Sequence, residues 1–389
     1  MLRIIAIGDP HFRTKYIQVL DQFVVQTMAV IKAVNPDLVV VLGDTLHHHE
    51  KTDSECHVRA VKWFLEISKI TKLVVLIGNH DRRNNSDFLS DYHFFSGLKF
   101  QPNIWIADTV LSLYLTFTDG KLASISERPH DRSHSSAVEK RLVFVPYVAP
   151  GRFLEALNTS LVTMADYRPF LIFAHQEFKG AKMGALVSEA GDVWSETEPP
   201  IISGHIHEQD LLQPNIFYAG TPYQTTYAES PDKGLYLFTI DDINTEFKLD
   251  ADLNSRANKL IRLTLKVKKS ITVSVDEFKQ LLLRGTDVAN FAIYDNNLYG
   301  NLIASFPESN VELRIKVVGI KSDIVTIKST KNYIDLKSCE FIKLVLTPVL
   351  DTSVLETHRT TTTFENELYK KIAHDDGLKR IYAIISSGK

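Results

Sequence analysis

Unbroken apolar runs alternate with segments of helical period through the first part of the chain. "RIIAIGDPH" opens as a short β run and ends in polar residues. From Tyr16 to Ala33 the apolar positions Ile17, Leu20, Val24, Met28 and Ile31 fall near one helical face. "NPDLVVVLGD" begins with a turn and continues as a buried strand. "TDSECHVRAVKWFLEISK" sets Thr52 and Glu55 at capping-box spacing ahead of a second helix. "KLVVLIGNHD" reads as a third strand. Strands joined by helices run parallel and are covered on both faces, which explains apolar runs without polar alternation.

Shorter strand-like runs follow: "NIWIAD", "VLSLYLTF", "RLVFVPYV", "PFLIFAH", "PPIISGH", "NIFYAGT" and "GLYLFTI". Many of these suit a second sheet. Residues 119–141 are polar and read as a loop between strands, with His130 and His134 solvated. Composition shifts across 250–258, "DADLNSRAN", which reads as a linker. Beyond it, "LIRLTLKVK", "VELRIKVVGI" and "FIKLVLTPV" surround the helical run "VDEFKQLLLR", the pattern of a small α+β domain. A threonine-rich break, "HRTTTTF", precedes an amphipathic tail in which Phe364, Leu368 and Ile372 recur every fourth residue. The expected organisation is a first domain over 1–255, an α+β capping domain over 259–350 and a helical tail over 360–389.

Bulk composition adds boundaries. The apolar share of 44% and charged share of 23% are those of a soluble globular protein. No apolar run approaches the roughly 20 residues of a membrane span, and no membrane association is expected. The first residues turn polar too quickly for a signal peptide. Two cysteines, Cys56 and Cys339, exclude a disulfide framework, and an intracellular location is expected. The net charge of −3 hides an asymmetry: 21 of the 44 basic residues but only 15 of the 47 acidic ones follow Ser255. The later part is mildly basic, a weak pointer to a polyanion.

Polar residues gather where the apolar runs end. They are Asp9 and His11 in "GDPH", Asp44 in "GD", Asn79 and His80 in "GNHD", His175 in "FAHQ", and His205 and His207 in "SGHIH". Strand ends of an open α/β sheet converge on one edge, where ligands bind. Asp, Asn and His offer oxygen and nitrogen ligands without thiolate, a set suited to Mn²⁺, Fe²⁺ or catalytic Zn²⁺. A carboxylate can bridge two cations, and two metals about 3.5–4 Å apart clamp a phosphate ester and supply hydroxide at neutral pH. Each signal alone is weak. "GHIH" could be a turn, and the run His47–His49 could be a solvated loop. The ordered set is specific.

That order, D-x-H, GD, GNHD, a strand-end His and GHxH, resembles the calcineurin-like metallophosphoesterases over about residues 1–240. The resemblance implies two facing mixed β-sheets flanked by helices and a dinuclear metal centre. It implies Asp9, His11 and His207 at one metal, Asn79, His175 and His205 at the other, and Asp44 between them. His80 would face the phosphate and assist the leaving oxygen. Asp81 would orient its loop, or else form a surface pair with Arg82 or Arg83.

Within that superfamily, "GDTLHHHE" departs from the Asp-Arg-Gly run of protein phosphatases. The shape carried by Asp44, Leu46 and His47 is similar to the nuclease subunits of SbcCD-type DNA repair complexes. Gly220, Thr221, Pro222, Glu229, Lys233 and Gly234 extend the likeness. It implies a DNA exonuclease or endonuclease supported by Mn²⁺, with His47 helping to place the DNA end. It also implies a coiled-coil, SbcC-like ATPase partner docked on the tail, and a possible homodimer. Two other readings stand beside it: a small-molecule phosphodiesterase or phosphatase, and a non-catalytic scaffold for DNA ends or a partner.

Overall fold

The computed structural model describes residues 1–49, 53–129, 137–160, 168–241, 244–245, 247–249, 258–284, 311–338 and 342–349. They fall into two compact units. The first runs from Met1 to Lys269 and takes in Glu312; the second begins at Ser270 and continues from Leu313.

The first unit opens with β1 (Leu2–Ile7), α1 (Ile17–Val34), β2 (Leu38–Val41), α2 (Ser54–Ser68), β3 (Lys72–Leu76) and β4 (Ile104–Ala107). The four strands pair in parallel. Ile4, Ala6 and Val40 are buried on one face, and Ile5, Ile7 and Val39 on the other. α1 buries Leu20, Phe23, Thr27 and Ile31. Val24 and Met28, expected on that stripe, are only half-buried. The buried face is centred on Phe23 and Thr27, and Val24 and Met28, each one residue further round the helix, pack at its edge. By length and composition the segment Thr14–Val34 could cross a bilayer, but its apolar residues pack with Val39, Val41 and Trp63. The cap of α2 is Asp53 rather than Thr52, which lies outside the described residues. Asp53 Oδ1 accepts the Glu55 and Cys56 amides at 2.9 and 3.3 Å.

The chain continues through β5 (Leu111–Thr118), β6 (Lys121–Ser126), β7 (Val138–Val145), α3 (Phe153–Asn158), β8 (Leu171–His175), β9 (Lys182–Met183) and β10 (Leu186–Val187). It then forms β11 (Ile201–Gly204), β12 (Asp210–Gln213), β13 (Ile216–Tyr218), β14 (Gly234–Ile240) and β15 (Asn258–Arg262). The first sheet has the order β15-β14-β1-β2-β3-β4, and the second β12-β13-β11-β8-β7-β5-β6. Both mix parallel and antiparallel pairs. Two of the shorter runs therefore join the first sheet: β4 beside β3, and β14 antiparallel to β1. β15 also belongs there, paired with β14, and not to the added domain expected from residue 259. Residues 119–141 are not all loop, since β6 forms a hairpin with β5. His130 and His134 lie outside the described residues, as does the expected linker apart from Asn258.

The two sheets face each other across one core. Leu2, Leu38 and Val74 of the first meet Leu113, Phe144 and Phe173 of the second. α1 and α2 cover the outer face of the first sheet, and α3 that of the second. This is the two-sheet α/β architecture that the resemblance implies. Phe144 is fully buried and its ring stacks on Phe173 at 5.3 Å. Phe144→Ala is expected to cost about 3–5 kcal/mol in chemical denaturation, because the cavity lies where both sheets must close.

The second unit contains β16 (Val267–Ser274, which enters it at Ser270), α4 (Val275–Arg284), β17 (Val311–Ile320), α5 (Lys321–Lys328), α6 (Lys331–Ser338) and β18 (Ile342–Val349). Its sheet has the order β16-β17-β18, with β17 and β18 parallel. Val273, Phe278, Ile315, Ile324 and Ile327 form its core. α5 and α6 carry no strong apolar period and were not expected. The tail over 360–389, with Phe364, Leu368 and Ile372, lies outside the described residues.

Candidate metal centre

Every chemical group singled out at a strand end lies at the end of a strand, or in the loop that follows it, on the same edge of the two sheets. β1 leads to Asp9 and His11, β2 to Asp44, β3 to Asn79 and His80, β8 ends on His175, and β11 leads to His205 and His207. Three of these residues take left-handed backbone: His11 at φ 45°, Asp44 at φ 46° and His205 at φ 81°. Side chains with a Cβ rarely adopt that region, and such outliers gather at functional sites. Here each one turns the chain sharply as it leaves the sheet. The glycines preceding the ligand-type residues are required by close approach. A Cβ on Gly78 would stand 2.2 Å from Asp44 Oδ1, and one on Gly204 would stand 2.4 Å from Asp9 Oδ1.

The side chains form two neighbouring groups, Asp9 with His11 and His207, and Asp44 with His175 and His205. Within each, the potential ligand atoms lie within 4.8 Å of one another. Asp44 spans both: its Oδ2 is 3.8 Å from His11 Nε2 and its Oδ1 is 3.4 Å from His175 Nε2. Asn79 joins the second group, with Oδ1 3.1 Å from both His175 Nε2 and His205 Nδ1. His11 Nε2 lies 2.9 Å from His207 Nε2.

The ring nitrogens of His175, His205 and His207 turned away from the centre face an acceptor, whereas the outward Nδ1 of His11 is buried without a hydrogen-bond partner. His175 Nδ1 is 2.7 Å from the Leu42 carbonyl, which can only accept, so Nδ1 carries a proton and Nε2 is the nitrogen turned to the centre. His205 Nε2 lies 3.8 Å from Glu177 Oε2, and His207 Nδ1 lies 3.6 Å from Glu229 Oε1. Carboxylates behind imidazoles in this way fix ring orientation and raise ligand basicity. Glu229 is itself held by the Thr225 amide at 2.8 Å and by Lys233 at 3.7 Å. Burial would raise its pKa, but His207, Thr225 and Lys233 bring it down to about 2. Lys233 also donates to the His207 carbonyl at 2.7 Å.

Asp81 is fully buried and binds the two loops together. It accepts from the Leu46 amide at 2.9 Å, the Gly78 amide at 3.1 Å and the Thr45 amide at 3.3 Å. No surface pair with its neighbours forms: Arg83 pairs with Asp87 at 2.7 Å, and Arg82 donates to the Asp87 carbonyl. His80 sends its amide to Asp44 Oδ1 at 2.8 Å, and its ring Nδ1 lies 2.7 Å from the His47 carbonyl. His80 Nε2 is left facing the centre, 3.9 Å from Asp44 Oδ2. His47 is half-buried with its ring edge-on to His11 at 5.3 Å. Burial, with Arg13 and His80 nearby, lowers its pKa to about 4, so it is neutral at pH 7.

Protein atoms alone leave this centre electrostatically unbalanced. Asp9 Oδ1 is buried without a hydrogen-bond partner. Burial pushes the Asp9 carboxyl up to about 7. Burial would also raise the Asp44 carboxyl, but His175, His80 and His11 hold it well below the usual range. Burial would lower His175, yet Asp44 and Asp9 push it up to about 9. Buried lone pairs aimed at common points, from oxygen and nitrogen donors only, fit a pair of divalent cations.

The family model described as Calcineurin-like phosphoesterase matches residues 2–209. The chain belongs to that family. Two viral relatives are similar over most of its length. "Putative phosphoesterase 244L" of Invertebrate iridescent virus 6 is 35% identical over 286 residues, 72% of this chain and 89% of the relative. "Putative phosphoesterase 078R" of Invertebrate iridescent virus 3 is 34% identical over 257 residues, 66% of this chain and 67% of the relative. Among solved structures, "GAP50 the anchor in the inner membrane complex of Plasmodium" is 15% identical with a TM-score of 0.38, covering 61% of this chain and 80% of that one. Calcineurin-like phosphoesterases hydrolyse phosphate esters with divalent metal ions, and the two groups described above are where this chain would hold them.

Two residues beside this phosphoesterase centre carry no clear signal in the sequence. Glu177 stands two positions after a strand-end histidine, and only the fold brings it to His205. His49 looks like the end of a polar run, yet it packs on His80 at 4.2 Å.

Proposed function

We propose that this phosphoesterase is a DNA nuclease, cleaving phosphodiester bonds with two Mn²⁺ ions, and that it serves a DNA repair or recombination complex of SbcCD type. One observation favours DNA over a small phosphoester. Two cationic side chains that reach solvent lie beside the Tyr16 ring, Lys15 Nζ at 5.5 Å and Arg13 Cζ at 5.9 Å, while Lys268 Nζ, 4.5 Å from the ring, is buried and donates to the Gln224 carbonyl. Arg13 lies close enough to the centre for its charge to act on His47. Cations interleaved with an aromatic ring suit a phosphate backbone and its bases, whereas one small ester needs no such extension.

In this reading Asp9, His11 and His207 hold one cation, Asn79, His175 and His205 the other, and Asp44 stands between. When bound, the cations supply a nucleophile at neutral pH and draw charge off the phosphoryl oxygens. The chain's own residues do the rest. Asp81 keeps the Asp44 and Asn79 loops in register. His80, anchored through Nδ1, turns Nε2 toward the leaving oxygen and stabilises or protonates it. Burial lowers the proton affinity of His80 while Asp44 opposes this, and an arriving phosphate would add to the pull of Asp44. His47 stands where it can place a DNA end. The ATPase partner, docking through residues 360–389, homodimerisation and an intracellular location belong to the same proposal, by analogy with that family.

The test compares duplex DNA with an aryl phosphodiester. DNA cleavage should require Mn²⁺ and weaken steeply between about 50 and 200 mM salt, because phosphate contacts release counterions. Lys15→Ala should shallow that salt dependence and leave the aryl ester untouched. A protein that turns over small phosphoesters but never DNA, alone or with an ATPase partner, would show the small-molecule reading to be correct.

A further inference from the structure

The run His47–His49 is only partly absorbed by the function above. His48 is exposed, with its ring edge-on to His47 at 4.8 Å. His49 is different. Its ring lies nearly parallel to the His80 ring, with centroids 4.2 Å apart and planes inclined by 23°. Its Nδ1 is 2.7 Å from the carbonyl of Asn79, the residue just before His80. The His47 ring is also parallel to His80, at 5.8 Å and 10°, and the His47 carbonyl accepts from His80 Nδ1. One short loop therefore grips both the ring and the backbone of His80.

We propose that His49 is a positioning residue for His80, holding the imidazole in the one rotation that aims Nε2 at the leaving oxygen. This rests on the reading that His80 acts on that oxygen. A carbonyl oxygen can only accept, so His49 Nδ1 carries its proton and donates to Asn79. That bond fixes the peptide from which His80 projects. The stacked ring then removes the rotation that the half-exposed His80 side chain would otherwise keep. Orientation is worth this device, because a misplacement of about 1 Å at a reacting centre can cost about 10²-fold in rate. His49 need not touch substrate or metal. Its effect is felt only where a proton must reach the leaving group.

The experiment uses the full-length protein loaded with Mn²⁺ and two phosphodiesters. One has a nitrophenolate leaving group, which departs without a proton; the other has an unactivated alkoxide. H49A is expected to lower kcat on the alkyl ester by about 10- to 100-fold, with KM and calorimetric metal affinity as in the wild type. On the nitrophenyl ester the loss should stay below about 3-fold, since poor proton delivery matters little there. H49F keeps a ring on His80 but cannot bond the Asn79 carbonyl, so it should fall between H49A and the wild type. In an H80N background H49A should add nothing, because the residue it positions is gone. Equal losses on both esters would overturn the proposal, as would full additivity with H80N or wild-type kcat for H49A on the alkyl ester. Should H49A fail to fold or to bind metal, H49F against wild type decides: a loss confined to the alkyl ester supports positioning, and an equal loss on both refutes it. Wild-type turnover in H80N alone would remove the His80 reading itself, a failure distinct from an impaired H80N beside an unimpaired H49A.

Discussion

Asp44→Ala should take phosphodiester turnover to background and lower the bound metal count. Asp44 presents one oxygen to each group, 3.8 Å from His11 Nε2 and 3.4 Å from His175 Nε2. Its removal therefore weakens both cation sites, where loss of Asp9 or Asn79 would weaken one. Removing a single preorganised electrostatic contact from an active site costs about 10²–10³-fold. Losing the bridge should cost at least that much, more than about 10³-fold in kcat, since charge neutralisation and the nucleophile depend on the same two cations. Metal analysis of the dialysed variant and calorimetric titration with Mn²⁺ check the first half, and turnover at saturating metal checks the second. Wild-type metal content together with wild-type turnover would show that Asp44 bridges nothing.

The second large effect separates chemistry from metal binding. His80→Asn should keep both cations and lose about 10²–10⁴-fold in kcat, the range for losing a positioned general acid. His80 has no place in either ligand group. Its Nδ1 is turned away to the His47 carbonyl, and its Nε2 stays 3.9 Å from the nearest Asp44 oxygen. The loss should be concentrated in kcat, because an interaction made only in the transition state leaves ground-state binding alone. A variant that loses metal in titration would instead make His80 a ligand.

These two outcomes bear on different features of the molecule. The first concerns a carboxylate enclosed by imidazoles and glycine backbone. The second concerns a half-exposed ring held by its neighbours' backbone, which is why His49 matters to one and not to the other. Glu177 and Glu229 lie further out again, each behind one histidine. Each is placed to orient the imidazole it faces.

Much of this molecule could be read along the chain. Buried parallel strands need apolar side chains on both faces, so β1, β2 and β3 were plain as unbroken runs. The ligand-type residues were plain because each follows such a run directly, and the geometry of a sheet edge then brings them together. Glycine before Asp44, Asn79 and His205 was visible too, though its reason was not. Only the folded chain shows a ligand side chain lying where a Cβ would be. What local pattern cannot carry is partnership. β4 and β14 look like other short strands, and nothing local says that hydrogen bonding places them at β3 and β1. β15 read as the start of the added domain because its pairing with β14 is a long-range fact. Asp53 displaced Thr52 as the helix cap because the choice depends on backbone angles one residue apart. Phe23 and Thr27 stand in the core where Val24 and Met28 were expected because both sets fit a helical face, and only packing against the first sheet and α2 selects between them. His49 and Glu177 gained their places through distances of ring and carboxylate across separate loops. The sequence by itself determined which residue types stand at the strand ends, and so the chemistry open to this protein. The tertiary structure decided which of them meet and what stands behind each, because pairing, register and side-chain rotation are settled by contacts between segments that no local pattern encodes.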